Sequence, residues 1–329
     1  MNILISGGAG YIGSQISYDL IDKGHNITIV DNLSTGSKLL VSAKADFYKC
    51  DIDNIKILKL IFKKKKIDLV IHLAAYISVE ESIKRPRKYL YNNYYKTKKF
   101  INFCIKNNIF KFIFSSTAVV YKPSNFKLSE NSLTKPQNPY GISKLLCEQF
   151  LIKKKNIMCI ILRYFNVAGA DLKLRTGPIS NYKSTHLIKK IINIYFNNKK
   201  KLTIYGNNYN TMDGTAIRDY IHINDLSLIH EKCIKYLFKK KKNKIIIFNC
   251  GYGKGLSVLD VISSAKKIFN LKHNYGKKRK GDPSSLVANN TKLKKELKLH
   301  FKIPNLKKIL ISGILWQKNY LKKYKVENK

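Results

Sequence analysis

The stretch "NILISGGAGYIGSQI", Asn2 to Ile16, decides the fold. Asn2–Ser6 is a short apolar run of the kind that forms a buried strand. Gly7, Gly10 and Gly13 follow at GxxGxxG spacing, and Ile12, Ile16 and Leu20 then recur on one face of a helix. A strand, a glycine turn and a helix in that order make a dinucleotide loop. The glycines allow a tight turn, close approach of backbone to a pyrophosphate, and close packing of helix on sheet. The helix N-terminus then holds the diphosphate. Gly7, Gly10, Tyr11, Ile12 and Gly13 are therefore candidate cofactor contacts. A merely structural turn does not account for Asp31 at the end of the next strand, "HNITIV" (25–30). A carboxylate there accepts from the adenosine ribose and repels a 2′-phosphate, which favours NAD over NADP. Asn32 follows it. "CDI" (50–52) ends the third strand and offers Asp51 and Ile52 near the adenine, with a helix N-cap as the other reading of Asp51.

The same alternation continues outward. "ADFYKCDI" (45–52), "DLVIHLA" (68–74), "FKFIFSS" (110–116) and "IMCIILRYF" (157–165) read as strands, with helices at about 87–107 and 139–154. Strands alternating with helices imply an α/β fold with a Rossmann-type, doubly wound parallel sheet. After Asn166 the rhythm loosens. A helix near 184–197, a strand near 202–205, a loop at 206–216, a helix near 257–269 and a polar C-terminal tail suggest a smaller second domain. The expected division is 1–165 for the sheet domain, with segments near 213–250 returning to it, and 166–329 for the second domain.

The 329 residues include 63 Lys and Arg against 20 Asp and Glu, a formal net charge of +43, and only six of the cations are Arg. Such a charge usually points to nucleic acid or an anionic surface. Here Lys, Asn, Ile, Tyr and Phe are abundant together, and all have A- and T-rich codons. The Lys excess therefore reads as drift at exposed positions, with the runs Lys63–Lys66 and Lys239–Lys242 on solvated faces or loops. Specific nucleic-acid binding is not expected, and nonspecific binding belongs to low salt. The six Cys show no CxxC and no metal spacing, which fits reduced thiols in a cytoplasmic protein without a metal. Nothing resembles a signal peptide or a membrane span.

A second chemistry follows the fifth strand. "FSSTAVVY" (114–121) supplies Ser115, Ser116 and Thr117 at a strand end, where ligands sit in such sheets. "NPYGISK" (138–144) then places Tyr140 and Lys144 one helical turn apart behind Pro139, which suits a first turn. The Tyr-x-x-x-Lys spacing alone means little, because it also occurs at Tyr94, Tyr95, Tyr195 and Tyr236. The strand-end hydroxyls singled out Tyr140. A cation beside a phenol favours the phenolate, so Lys144 is expected to make Tyr140 a base.

With these parts placed, the chain resembles the extended short-chain dehydrogenase/reductases, and among them the UDP-glucose 4-epimerases. The resemblance runs through nearly the whole chain, and its most specific blocks are "DGTAIRDYIHINDL" (213–226) and "RKGDP" (279–283). It implies an NAD-dependent isomerase of galactose metabolism, with NAD held through successive turnovers. Tyr140 deprotonates the sugar C4 hydroxyl as hydride leaves C4, the 4-keto sugar turns while UDP anchors it, and hydride returns to the other face. Thr117, Tyr140 and Lys144 take the catalytic positions. Leu73, Ala74, Ala75, Asn92 and Tyr164 join the cofactor contacts, as do Tyr140 and Lys144. Asn166, Leu187, Arg218, Arg279, Asp282 and Leu286 join Thr117 and Tyr140 at the UDP-sugar, in the second domain. Leu286 sits where bulk limits the sugar C2 substituent, which favours glucose and galactose over N-acetyl sugars. A homodimer is also implied.

Other readings stay open. A 4,6-dehydratase or decarboxylase shares the fold, but a dehydratase needs an Asp-Glu pair after Thr117, where Ala118, Val119 and Val120 stand. A UDP-N-acetylglucosamine 4-epimerase would carry the same motifs. A non-catalytic remnant that binds nucleotides or polyanions is the reading from another class. Three positions depart from the family pattern, each with a large residue for a glycine: Glu80, Lys96 and Lys122. A positive φ at any of them would strain the chain and lower stability or efficiency.

Overall fold

Strand alternation creates the two faces of the main sheet. The structure is a computed structural model that describes residues 1–179, 186–197, 201–240, 244–279 and 282–324. In chain order its first half contains β1 (Asn2–Ser6), α1 (Tyr11–Ile21), β2 (Asn26–Asp31), β3 (Asp46–Lys49), α2 (Ile55–Lys64), β4 (Leu69–His72), α3 (Val79–Lys84), α4 (Pro86–Tyr89), α5 (Lys96–Lys106), β5 (Lys111–Thr117), α6 (Pro139–Ile152) and β6 (Met158–Tyr164). Then come β7 (Asn166–Ala168), α7 (Leu187–Phe196), β8 (Leu202–Tyr205), β9 (Ile217–His222), α8 (Ile223–Lys239), β10 (Ile245–Cys250), β11 (Gly255–Ser257), α9 (Val258–Lys266), β12 (His273–Gly276), β13 (Ser285–Leu286), α10 (Thr291–Leu297) and α11 (Leu306–Tyr324).

Seven parallel strands form the main sheet in the order β10-β6-β5-β4-β1-β2-β3. Ile3, Ile5, Ile27, Ile29, Ile71 and Ile113 face one core with Ile16 and Leu20 of α1 and with α8 and α10. Their neighbours Leu4, Val30, Val70, Phe112 and Phe114 face the other, against α2, α5 and α6. A parallel sheet buried on both faces explains why these strands read as continuous apolar runs. The order reverses direction between β1 and β4, and ligands of such sheets bind outside the strand ends at that point.

Smaller sheets flank this frame. β9 pairs with β11, β13 and β7, and β8 pairs with β12. A third core of Ile188, Ile191, Ile192, Val261, Ile262, Ile309 and Leu310 joins α7, α9 and α11 beside them.

Two expectations need correction. The helix expected over 87–107 is interrupted by a π-helical turn at Leu90–Tyr95, between α4 and α5. A single extra residue in a turn of this kind re-aims side chains, and such turns cluster at functional sites. The expected polar tail is instead the 19-residue helix α11, which buries Ile309, Leu310, Ile314 and Trp316. Its lysines, Lys307, Lys308, Lys318, Lys322 and Lys323, flank the buried positions and make the segment read as polar. Part of the run Lys239–Lys242, and Lys280 and Gly281 of "RKGDP", lie outside the described residues.

Trp316 is 2% exposed and shares a small core with Leu40 and Ala170. Trp316→Ala is expected to destabilise the protein by roughly 3–5 kcal/mol, measured as a lowered urea midpoint.

Candidate active site

The glycine turn meets the strand-end loop of β4 at the switch point. Gly7 has φ +78, and a Cβ on it would lie 2.7 Å from the Ala74 amide nitrogen. A Cβ on Gly13 would lie 2.2 Å from the Gly7 carbonyl oxygen. Neither position tolerates a side chain, so the backbone here forms an open cradle. Gly10 caps α1 without a side chain, and the first turn carries no acid. The first-turn amides of Tyr11, Ile12 and Gly13 have no partner inside the helix and remain available to an anion. Leu73, Ala74 and Ala75 lie half-buried beside the cradle. Tyr11 serves another purpose: its hydroxyl donates to the Gly169 carbonyl at 2.7 Å, which ties α1 to the loop after β7. Ile12 packs against the core.

Asp31 is 8% exposed at the end of β2. Its Oδ2 accepts from the Ala9 amide at 3.0 Å and its Oδ1 from the Leu33 amide at 2.8 Å. Burial raises its pKa, and these two amides oppose the rise. Each oxygen keeps a lone pair, so the carboxylate can still accept from a ribose diol. Asp51 is not the cap of α2; Asn54 is, accepting from the Ile57 amide at 3.3 Å. Asp51 instead accepts from Asn32 at 3.0 Å and pairs with Lys96 at 2.6 Å. Ile52 is buried beside it at 5% exposure. These parts fit a dinucleotide with an unmodified ribose. Asn92 donates to Asn93 at 3.1 Å, and Asn93 clamps Tyr76 and Ser143 around the π-helical turn.

The hydroxyls at the end of β5 go to three residues of α6. The Thr117 side chain acts on the Tyr140 phenol as a hydrogen-bonding neighbour that lowers its pKa. Lys144 Nζ donates to the Ser115 carbonyl at 2.8 Å. Ser116 donates to Glu148 in a short contact. Pro139 begins α6, and Asn138 caps it by accepting from Gly141 at 2.9 Å. Burial pushes the Tyr140 phenol up to about 12, against the Thr117 hydrogen bond, and pushes the Lys144 amine down to about 8. The expectation that Lys144 makes Tyr140 acidic is not met in the chain alone, where desolvation prevails and the ammonium is turned to Ser115. Tyr164, beside Thr117 in the sheet, gives its hydroxyl to His230 at 2.8 Å and is part of the core.

On β9, Arg218 is 9% exposed and bonds Asp282 at 2.5 Å. Asp219 and Asp225, the acids near Arg218 in sequence, are occupied elsewhere. Asp219 accepts from the Tyr252, Gly253 and Ala288 amides, and Asp225 from Tyr252 Oη and the Lys302 and Ile303 amides. Arg279 places its guanidinium 3.9 Å over the Tyr205 ring. Leu286 pairs in register with Arg218 and packs with Ala118 and Phe165 just beyond Thr117. Asn166 begins β7, in register with Tyr220. Leu187 begins α7 and packs on the third core.

Residues 3–251 match the model of the NAD dependent epimerase/dehydratase family. The chain belongs to this family. It is 36% identical to UDP-glucose 4-epimerase of Lactobacillus helveticus, over 98% of this chain and 99% of that one. It is similar in structure to UDP-glucose 4-epimerase of Bifidobacterium longum in complex with NAD+ and UDP, with a TM-score of 0.91 and 30% identity over 97% of this chain and 98% of that one. It is also similar to the UDP-Glc/GlcNAc 4-epimerase of Campylobacter jejuni, with a TM-score of 0.82 and 38% identity over 97% and 99%.

Against the family pattern, the large residues at Glu80, Lys96 and Lys122 are accommodated. Among the described residues, the non-glycine residues with positive φ are Leu33, Asn108, Leu174 and Lys298, so the expected strain does not arise. Glu80 lies in exposed α3 and pairs with Lys84 at 2.9 Å. Sequence reading missed His72, which is 1% exposed and sits 2.6 Å from Ser6 Oγ and 2.8 Å from Thr97 Oγ1. Burial, reinforced by Lys144, depresses it to about 3, so it stays neutral and braces β1 against β4 and α5. Its only sequence signal was a polar residue at the end of a buried strand. Glu148 was missed as well. It is 1% exposed and takes Arg163 bidentately at 3.0 and 2.6 Å, which makes Arg163 a structural partner rather than a ligand contact.

The Lys144 amine sits below its ordinary value of 10.5 in the folded chain, so the unfolded chain holds that proton more tightly. This costs folding stability below about pH 8, and the cost fades as pH rises toward 10.5. Lys144→Met is expected to be more stable than the parent chain at pH 7, by up to ~3 kcal/mol. The gap should close by about pH 10, read from urea midpoints of the two proteins at both pH values.

Proposed function

We propose that the chain is an NAD-dependent UDP-glucose 4-epimerase that interconverts UDP-glucose and UDP-galactose. One observation supports the reading: Leu286, in register with Arg218, packs with Ala118 next to Thr117, at the end of the sheet that also carries the glycine turn and Asp31. A redox centre and an anchor for a nucleoside diphosphate thus share one crevice. Residues 1–165 hold the cofactor through Gly7, Gly10, Gly13, Asp31, Asp51 and the loop Leu73–Ala75. Residues 166–329 hold the UDP-sugar through Asn166, Leu187, Arg218, Arg279 and Asp282. NAD, when bound, supplies a hydride acceptor and donor and, when oxidised, a positive charge beside the phenol.

Tyr140 is the base. A buried phenol that titrates near 12 on its own is drawn down by positive charge placed against it. Its phenolate accepts the proton of the sugar C4 hydroxyl and returns it after the sugar has turned. Thr117 orients Tyr140 and the reacting oxygen. Lys144 supports the ribose of the cofactor and the phenolate once Ser115 releases part of its hold. Arg218 and Arg279 meet the diphosphate, where planar guanidinium groups suit paired oxygens. That anchoring lets a small sugar turn without escaping. The fall of Ala118, Val119 and Val120 where a dehydratase needs acids supports epimerisation over elimination. The protomers are expected to pair as homodimers, which light scattering reads. Among the described residues, no helix is long and apolar enough to cross a membrane.

Purified protein without added cofactor is expected to convert UDP-galactose to UDP-glucose. Tyr140→Phe is expected to lose this activity by a factor of roughly 10²–10⁴, followed by a coupled UDP-glucose assay. No turnover by folded protein supplied with NAD would sink the assignment.

Likeness to an enzyme described for both plain and N-acetylated glucose makes Leu286 the residue to test for sugar range. It is 7% exposed beside Arg218. The parent chain is expected to favour UDP-galactose over UDP-N-acetylgalactosamine. Leu286→Ala should narrow that preference by about one order of magnitude, measured as the ratio of kcat/KM values.

A further inference from the structure

Tyr209 lies in the loop between β8 and β9 and is 4% exposed. Its hydroxyl is buried and has no hydrogen-bond partner among the described residues. Such a group is costly where it stays unsatisfied, and the great majority of buried polar groups find a partner. The loop is nevertheless built to hold this ring. The Tyr209 amide donates to the Gly214 carbonyl at 2.9 Å. Gly206 has φ +89, and a Cβ there would stand 2.7 Å from the ring. Lys278 Nζ lies 4.1 Å from the ring centroid.

The surroundings indicate what the hydroxyl awaits. The charges that act on Tyr209 are Asp282, Arg218 and Arg279. Arg218 and Asp282 bond each other at 2.5 Å, and Arg279 stacks 3.9 Å over Tyr205, next to Gly206. Two guanidinium groups and a lysine around one unsatisfied donor make a pocket for an anion rather than for a neutral sugar.

Resting on the function proposed above, we infer that Tyr209 is a further substrate-positioning residue whose hydroxyl donates to the diphosphate of the bound nucleotide sugar. The hydroxyl is left unpartnered in the free protein and finds its acceptor only when a nucleoside diphosphate enters. This differs from Tyr164 and Tyr252, whose hydroxyls are already bonded to His230 and Asp225.

The test is isothermal titration of UDP into the NAD-loaded protein and its Tyr209→Phe variant, with melting of both in the absence of UDP. A hydrogen bond to a charged acceptor predicts that the variant binds UDP roughly tenfold or more weakly. Its melting temperature without UDP should equal or exceed that of the parent, because an unpartnered hydroxyl has been removed. Unchanged UDP affinity overturns the inference. So does a lowered melting temperature without UDP, which would mean that the hydroxyl serves the fold through a buried water. Failure of the parent protein itself to bind UDP would instead overturn the function proposed above, and this inference with it.

Discussion

No side chain fits between Gly7 and Ala74, and the rest of the site is arranged around that contact. It brings the ends of β1 and β4 together at the point where the sheet reverses its order. His72, neutral between Ser6 and Thr97, holds the same two strands from within. The helix that leaves the turn is then fastened to the second lobe. Tyr11 reaches the Gly169 carbonyl, Ser14 meets Thr176 at 2.5 Å, and Gln15 donates to Asp171 at 3.1 Å. The N-terminus of α1 therefore stands in fixed relation to both halves of the crevice. A displacement of about an ångström at such a contact is enough to spoil a reacting geometry.

The second constraint is the electrostatics of α6. Tyr140, Lys144 and Glu148 lie four residues apart and so follow one face of the helix. Burial acts on all three with different results. Glu148 is paired with Arg163 and accepts from Ser116, and breaking such a buried pair typically costs about 3–5 kcal/mol. Arg163 thereby shares the negative charge that would otherwise act on Lys144 alone. Lys144 finds a carbonyl and a hydroxyl rather than a full counter-charge, so its amine remains depressed. Tyr140 remains a phenol. The locked ion pair supports the fold, and Tyr140 and Lys144 are kept out of it.

The sheet and the glycine turn were legible because strand alternation and glycine spacing are local signals. Thr117, Tyr140 and Lys144 were legible because a strand end and a helix start bring them together over a short span. The partners of Asp51, Arg218 and Glu148 were not, since Lys96, Asp282 and Arg163 lie 15 or more residues away and pairing depends on the finished fold. The π-helical turn at Leu90–Tyr95 leaves the apolar pattern almost unchanged, so only backbone geometry reveals it. The final helix was hidden by composition: lysines at both of its ends obscure a stripe that is plain once Ile309, Leu310, Ile314 and Trp316 are seen to be buried. Lys96 was misread for the opposite reason. A glycine was missed at that position, but the residue is helical and its ammonium reaches Asp51.

The scarcity of arginine also acquires a physical sense. Lysine supplies a point charge on a flexible stem, and arginine a planar fork that meets several acceptors at fixed angles. Four of the six arginines stand where a fork is needed. Arg163 grips both oxygens of Glu148 and the Glu130 carbonyl. Arg175 joins Asp171, Asp22 and Asp19 at 2.6 to 2.7 Å, bridging α1 to the loop after β7. Arg218 spans the Ile217 carbonyl and Asp282, and Arg279 lies flat on Tyr205. A lysine could keep the charge at each of these places but not the plane. In a chain whose exposed cations are almost all lysine, the large positive charge belongs to the solvated surface. The few fixed cations belong to the joints of the fold and to the Arg218–Asp282 and Arg279–Tyr205 contacts, so what they do follows from where the arginines are rather than from the net charge.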